Sequence, residues 1–341
     1  MNGVETADVI VVGGGPAGSA CATALIRGGR KVIVLDKESF PRTKLCAGWV
    51  SPGVFQALGL DPAAYPAGLH TFDHLVVHAW GMTLPLRTRQ YSVRRVEFDD
   101  YLLRRSNATV IRHDVREIAR AGEGYLIDGA FHAPHVVGAG GTRCPVHRHL
   151  FRAYSPHNKT LQIAATELEF PFAWRDPRCH LWFFDHGLPG YAWYVPKAGG
   201  WLNLGVGALS EPLRQRGQNL HEHWERLVTR LGRLGMIDDR PLTAAGYSYF
   251  LRERSGPWQN GNAFLVGDAA GMATRDLGEG IGPAIRSGIA VAEGILHGQP
   301  AMLDDISPLS VDELLNGTRR VACRALLRLL GVAPRQLPQA A

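Results

Sequence analysis

Gly13, Gly15 and Gly18 stand at the spacing G-x-G-x-x-G, and Asp36 follows at the carboxyl end of the next apolar run. Each glycine has its own task in phosphate chemistry. The first permits a tight turn after a strand, the second lets backbone approach a pyrophosphate, and the third lets a helix pack on the strand. A helix that begins at such a turn offers unpaired N–H groups and a partial positive charge to the phosphates. An acid at the end of the following strand can accept hydrogen bonds from both ribose hydroxyls of an adenosine.

These residues need a strand–turn–helix–strand frame, and the flanking sequence supplies one. Val9-Ile10-Val11-Val12 is a β-branched run that reads as a buried strand. Residues 19–27 read as a helix with Ala20, Ala24 and Leu25 inward, stopped by Gly28-Gly29, and residues 31–35 read as the second strand. With 40 glycines in 341 residues a bare triplet is expected roughly 0.5 times by chance. The flanks and Asp36, not the glycines alone, carry the expectation of dinucleotide binding.

The remaining chemistry-bearing residues are spread along the chain. Phe40-Pro41-Arg42-Thr43-Lys44-Leu45-Cys46-Ala47-Gly48 sets two cations and a thiol beside this frame. Arg42 and Lys44 could hold a phosphate or form an exposed turn pair. Cys46 could relay a proton or fill a small apolar space. Between about 161 and 206 aromatics recur, among them Trp182, Phe183, Tyr191 and Trp193, often alternating with small or polar residues. That pattern predicts a sheet with one covered face. Its aromatics could be ordinary core, or could roof a long apolar cavity. His132, His135, His147 and His149 fall on different segments without a ligand-spaced acid, so no metal site is expected. His221-Glu222-His223 opens a helix to about Arg233 and reads as a solvated face.

Four ordered segments resemble the geranylgeranyl reductase family of FAD enzymes, within the p-hydroxybenzoate hydroxylase and glutathione-reductase-like superfamily. Residues 40–52 resemble P-R-x-K-x-C-G-G-x-x-(S/T)-P, departing at Ala47, where that family usually has glycine. Arg95-Val96-Glu97-Phe98-Asp99 resembles R-x-x-F-D, and Tyr191-Ala192-Trp193-Tyr194-Val195-Pro196-Lys197 resembles Y-x-W-x-x-P-K. Gly267-Asp268-Ala269-Ala270-Gly271 with Gly278-Glu279-Gly280-Ile281 resembles G-D-A-A-G…G-E-G-I. Gly138-Ala139-Gly140-Gly141 departs from the family's G-A-D-G.

The resemblance implies FAD as cofactor and an α/β fold: a discontinuous glutathione-reductase-like Rossmann domain, an antiparallel-sheet substrate layer and a helical tail. The expected division is 1–68, 91–155 and 245–300 for FAD, 69–90 and 156–244 for substrate, and 301–341 for the tail. Candidate cofactor residues are Gly13, Gly15, Pro16, Ala17, Gly18, Asp36, Lys37, Arg42, Lys44, Cys46, Ala47, Arg95, Val115, Gly267, Asp268, Gly280 and Ile281. In the family, backbone around Val115 meets adenine, and Asp268 accepts from the ribityl chain. A helix from about Pro283 to His297 would turn its N–H groups to the flavin. Cys46 is the catalytic candidate, and Tyr191 and Trp193 are the substrate candidates.

The activity implied is reduction of a C=C bond in an isoprenoid or other long apolar molecule. Reduced flavin would serve one carbon, and Cys46 or an ordered water would protonate the other. A monooxygenase or halogenase of the same superfamily is the alternative. Only one complete dinucleotide motif is present, so an external donor (NAD(P)H, ferredoxin or a flavoprotein) is expected.

The bulk properties bound the partners. The formal charge is +6, with arginine far outnumbering lysine, but no basic run is interleaved with aromatics as in a nucleic-acid module. Five scattered cysteines, no CxxC pair and no recognisable leader fit a reduced, cytoplasmic setting. Residues 311–330 predict one basic amphipathic helix, packed on the FAD domain or lying on an anionic membrane face as a peripheral contact.

Overall fold

The computed structural model describes residues 3–253, 256–315 and 317–329. The strand Val9–Val12 is buried on both faces and sits centrally in a six-stranded sheet. Parallel partners flank it: His135–Gly138 on one side, then Val32–Asp36 and Thr109–Arg112 on the other. Parallel strands need covered faces. One face packs under the helices Pro16–Arg27 and Ile281–His297 through Cys21, Leu25, Val291 and Ile295. The other packs on Ile127, Val146 and Phe151.

The first helix begins at Pro16 rather than Ser19, because proline's fixed φ suits the first helical position and Gly15 forms the N-cap. Ile281–His297 likewise starts two residues before the expected Pro283. Gly18 lies where any side chain would overlap the Gly13 carbonyl, so helix and strand close on one another without one.

The second large sheet has eight strands in the order Ala245–Phe250, Gln162–Pro171, Trp201–Leu209, Gly190–Lys197, Cys179–Phe183, His70–Ala79, Met82–Ser92 and Trp49–Val50. The strand Ala245–Phe250, which the sequence division set at the head of an FAD segment, pairs here with Gln162–Pro171. The expectation of one covered face is corrected. Ala192, Tyr194, Leu202, Leu204 and Val206 pack on Trp224, Leu227 and Leu231 of the helix Leu220–Arg233. Tyr191, Trp193, Val195 and Leu181 go to the opposite face. Side chains alternate across a strand, so parity assigns each aromatic either to core or to cavity. His223 is buried on that helix rather than solvated.

The predicted tail helix is two helices, Val311–Leu314 and Gly317–Leu329, with Leu315 extended. They pack on the cavity face of the eight-stranded sheet and also reach the predicted FAD segments, where Glu313 pairs with Arg286 of Ile281–His297 and accepts from the Ser51 hydroxyl. Val311, Leu314, Leu315, Cys323 and Leu327 pack against Phe72, Leu75 and Leu181. Asp276 fixes this docking by accepting from the N–H groups of Ser310 (2.8 Å) and Val311 (3.0 Å). Leu330 and the rest of the predicted tail lie outside the described residues. Among the described residues no helix is long and apolar enough to cross a membrane.

Candidate active site and cofactor cleft

A cavity of about 860 Å³ runs from the glycine turn to the cavity face of the large sheet. Gly13, Gly15, Pro16, Ala17, Asp36, Lys37, Arg42, Lys44, Cys46, Ala47, Arg95, Val115, Tyr191, Trp193, Asp268, Gly280 and Ile281 all line it. Two predicted cofactor residues do not. Gly18 is spent on helix packing, as above. Gly267 (φ +57°) lies behind the wall against Ala17 and Ala284, its N–H donating to Ser287 Oγ at 2.9 Å.

The dinucleotide end is shaped for a diphosphate. Gly15 has ordinary extended backbone (φ −71°, ψ −174°), and the helix it opens has no side-chain cap. A Cβ built there meets only Arg42 Nη2, at 3.3 Å, so the space above the turn is open. Arg42 leans over that space, 4.7 Å from the Phe40 ring centroid. Its Nη1 is buried without a hydrogen-bond partner, although Asp99 Oδ2 lies 3.3 Å away. A guanidinium with Nη2 beside the uncapped helix start, and Nη1 buried without a hydrogen-bond partner, leaves donors for a pyrophosphate. Asp36 first braces the turn: Oδ2 accepts from Gly14 N–H at 2.7 Å and Oδ1 from Glu38 N–H at 2.9 Å. Each carboxylate oxygen keeps a further lone pair for a ribose hydroxyl.

Arg95 is buried and bidentate to Asp99, both contacts at 2.7 Å. Burial opposes its charge, but Asp99 and then Cys46 outweigh burial and hold the guanidinium above its ordinary value. Arg95 therefore ties the R-x-x-F-D segment to the cysteine loop.

That loop is fixed from behind by residues outside the predicted site set, among them the lysine that ends the Y-x-W-x-x-P-K segment. Lys197 is fully buried, and its Nζ donates to the Ala47 and Val93 carbonyls, both at 2.6 Å, with Glu169 Oε2 at 3.4 Å. Gly48 takes the left-handed conformation (φ +64°) against Val93 and Lys197, where a Cβ would overlap both. The departure at Ala47 costs the loop nothing, since the conformation that needs glycine belongs to Gly48.

Glu167 is 1% exposed and sits behind Cys46. It accepts from the Cys46 backbone N–H, from Asn203 Nδ2 (3.3 Å) and from the Tyr247 hydroxyl (3.2 Å). Burial pushes its carboxyl up to about 7, against the pull of Asn203, Lys197, Cys46 N–H and Tyr247. Tyr247 is in turn held well above its ordinary value by burial and by Glu167. Asn203 also accepts from Trp193 Nε1 at 2.7 Å, while the indole lies over Gly205, where a side chain would overlap it. Tyr191 donates to the Leu277 carbonyl at 2.5 Å. One signal could have exposed Glu167: it shares the inward parity of Ala165 in the strand Gln162–Pro171.

Glu279 is a second carboxyl pushed up to about 7, chiefly by burial. Its Oε1 accepts from Gly282 N–H at 2.6 Å and so caps Ile281–His297. This corrects the expectation that all the first-turn N–H groups point into the cleft. Gly280 and Ile281 remain at the wall. Among the described residues no three His, Cys, Asp or Glu side chains group to hold a metal.

Residues 8–92 match the family model for FAD-dependent oxidoreductases. The menaquinone reductase of Mycolicibacterium smegmatis is 30% identical over 86% of this chain and 77% of its own length. Digeranylgeranylglycerophospholipid reductase 2 of Methanosphaera stadtmanae is 25% identical over 92% of the chain and 83% of its own. The crystal structure of a geranylgeranyl bacteriochlorophyll reductase-like protein from Thermoplasma acidophilum superposes with a TM-score of 0.76. It covers 88% of this chain and 82% of its own at 22% identity, and shows the same fold.

Proposed function

The chain belongs to the geranylgeranyl reductase family of FAD-dependent oxidoreductases, and from that premise we propose that it saturates a C=C bond in an isoprenoid or other long apolar substrate. The observation that carries this reading is the apolar part of the wall in the cavity that Cys46 also lines: Trp49, Leu181, Tyr191, Trp193, Val195 and Leu277. Relatives named menaquinone reductase and digeranylgeranylglycerophospholipid reductase support it.

Arg42, the uncapped N-terminus of Pro16–Arg27 and Asp36 would hold the diphosphate and adenosine of FAD; Asp268 and Gly280–Ile281 would meet its other half. Bound FAD supplies the electron pair, which it receives from a donor outside this chain. The protein's own part is to align the double bond on the wall, exclude water and give a proton to the second carbon. Two proton-bearing residues line the cavity, Cys46 and Tyr247, and Glu167 accepts from the Cys46 backbone N–H and from the Tyr247 hydroxyl. Lys197 is turned away to the Ala47 and Val93 carbonyls, so the lysines at the cavity wall are Lys37 and Lys44.

The test is anaerobic incubation of the reduced protein with isoprenoid polyenes, followed by mass spectrometry. A product heavier by two hydrogens supports the reading; prompt reoxidation by air coupled to substrate oxygenation overturns it. Cys46→Ser is expected to keep its FAD and lose about 10²-fold in turnover, with less solvent deuterium in the product. An unaltered rate, pH profile and deuterium pattern would assign Cys46 to packing.

Trp193→Ala is expected to weaken binding of long chains about tenfold more than short ones, because each buried CH₂ contributes about 0.8 kcal/mol. Loss of a buried indole also costs roughly 3–5 kcal/mol of stability, so FAD absorbance must first show an intact fold. A titration in which chain length makes no difference contradicts the apolar-substrate reading.

A further inference from the structure

The sheet face that walls the cavity does not stop at the cavity. Strand pairing runs in one row from Glu167 through Gly205, Trp193, Leu181 and Val77 to Leu84. The neighbouring row runs from Tyr191 through Phe183 and Ala79 to Met82. Residues in these rows share one face, so an apolar stripe leads from Trp193 to the hairpin turn Trp80–Gly81. Ring contacts follow the same line. Trp193 and Tyr191 are 5.8 Å apart between centroids, Tyr191 and Phe183 5.0 Å, Phe183 and Phe184 6.0 Å, and Phe184 and Trp80 5.6 Å.

At the turn this stripe meets solvent. Trp80 is 73% exposed, Met82 52%, Leu84 54% and Phe184 48%. Trp80 (φ +50°) and Gly81 (φ +76°) form the two-residue turn with both φ positive, where Asn, Asp or Gly is the usual occupant. A tryptophan in that conformation presents the largest apolar side chain to water at the turn of the hairpin. Farther down the hairpin Arg87 is exposed opposite His74 and Arg89 lies 4.0 Å from Asp73, while Asp185, next to Phe184, is neutralised by Arg230. The helix Gly317–Leu329, seated on the same face through Cys323 and Leu327, exposes Arg320 and Val321.

We propose that this hairpin tip, Trp80, Met82 and Leu84 with Phe184, docks the protein on an anionic lipid bilayer and opens the apolar stripe to it. Indole and aliphatic side chains lodge at the headgroup level, and the arginines meet anionic headgroups. A long apolar substrate is then drawn from the bilayer at the outer edge of the sheet whose inner rows, with Leu181 and Trp193, wall the cavity. This rests on the apolar-substrate reading above, and it assigns that substrate's source and point of entry.

Co-sedimentation of the FAD-loaded protein with vesicles tests it, using phosphatidylcholine with and without phosphatidylglycerol. Wild-type protein is expected to pellet with the anionic vesicles and to shift Trp80 emission to the blue. The double variant Trp80→Ser/Leu84→Ser is expected to partition about tenfold more weakly with unchanged flavin absorbance. No binding by wild type, or equal binding by the variant, overturns the proposal. So does wild-type self-association that the double variant abolishes, which would give the patch to a second copy. Turnover of a short, water-soluble polyene separates the two readings. Its reduction without vesicle binding leaves the function and removes the docking surface. Vesicle binding without preference for long chains does the reverse.

Discussion

Gly15→Val is expected to fold and to lose FAD, with affinity down by at least about 10³-fold. The backbone at Gly15 is ordinary extended geometry that any residue adopts, and a Cβ there meets only Arg42 Nη2. The protein alone therefore has no reason to reject the valine. The cost falls on the diphosphate, whose approach to the helix N-terminus the branched side chain would fill. Gly18→Val is the control: its side chain would overlap the Gly13 carbonyl, so it should destabilise the fold itself. Flavin absorbance, chromatography of released cofactor and far-UV circular dichroism check both. A yellow, fully loaded Gly15→Val protein would refute the assignment of that turn to the pyrophosphate.

Glu167→Gln is expected to stabilise the protein at alkaline pH and to leave acid-side stability unchanged. An ordinary glutamate titrates near 4.5, whereas burial holds Glu167 up to about 7. Below the ordinary value both folded and unfolded states carry the proton, and the carboxyl costs nothing. Between the two values the folded state binds more protons, so stability falls as pH rises. Above the raised value the cost is complete, of order 3 kcal/mol for a shift of this size. Glutamine resembles the protonated acid: its oxygen accepts from Cys46 N–H and its amide donates to the Tyr247 oxygen. Denaturant unfolding at about pH 5 and about pH 8 should show the variant's advantage at the higher pH alone. Parallel profiles would mean that Glu167 is ionised without cost. Glu279 titrates in the same window with the same sign, and comparison with wild type cancels it.

Residue types and spacing determined the dinucleotide half of this protein. Gly13, Gly15, Gly18 and Asp36 lie within one strand–turn–helix–strand unit, where each demand is local: a turn, a close approach, a helix start, a strand end. The Y-x-W-x-x-P-K resemblance singled out Tyr191 and Trp193, and the structure places them on the face opposite Ala192 and Tyr194. What alternation could not say was which element covers each face, and here the face opposite the helix Leu220–Arg233 belongs to the cavity and the tail. The chemistry beside Cys46 was decided in three dimensions. Glu167 reaches it across 121 residues, and Lys197 reaches Ala47 across 150. A glutamate or lysine in a strand reads as solvated until tertiary packing closes over it. Burial then raises the carboxyl, spends the ammonium on carbonyls and turns two ordinary side chains into the support of the site.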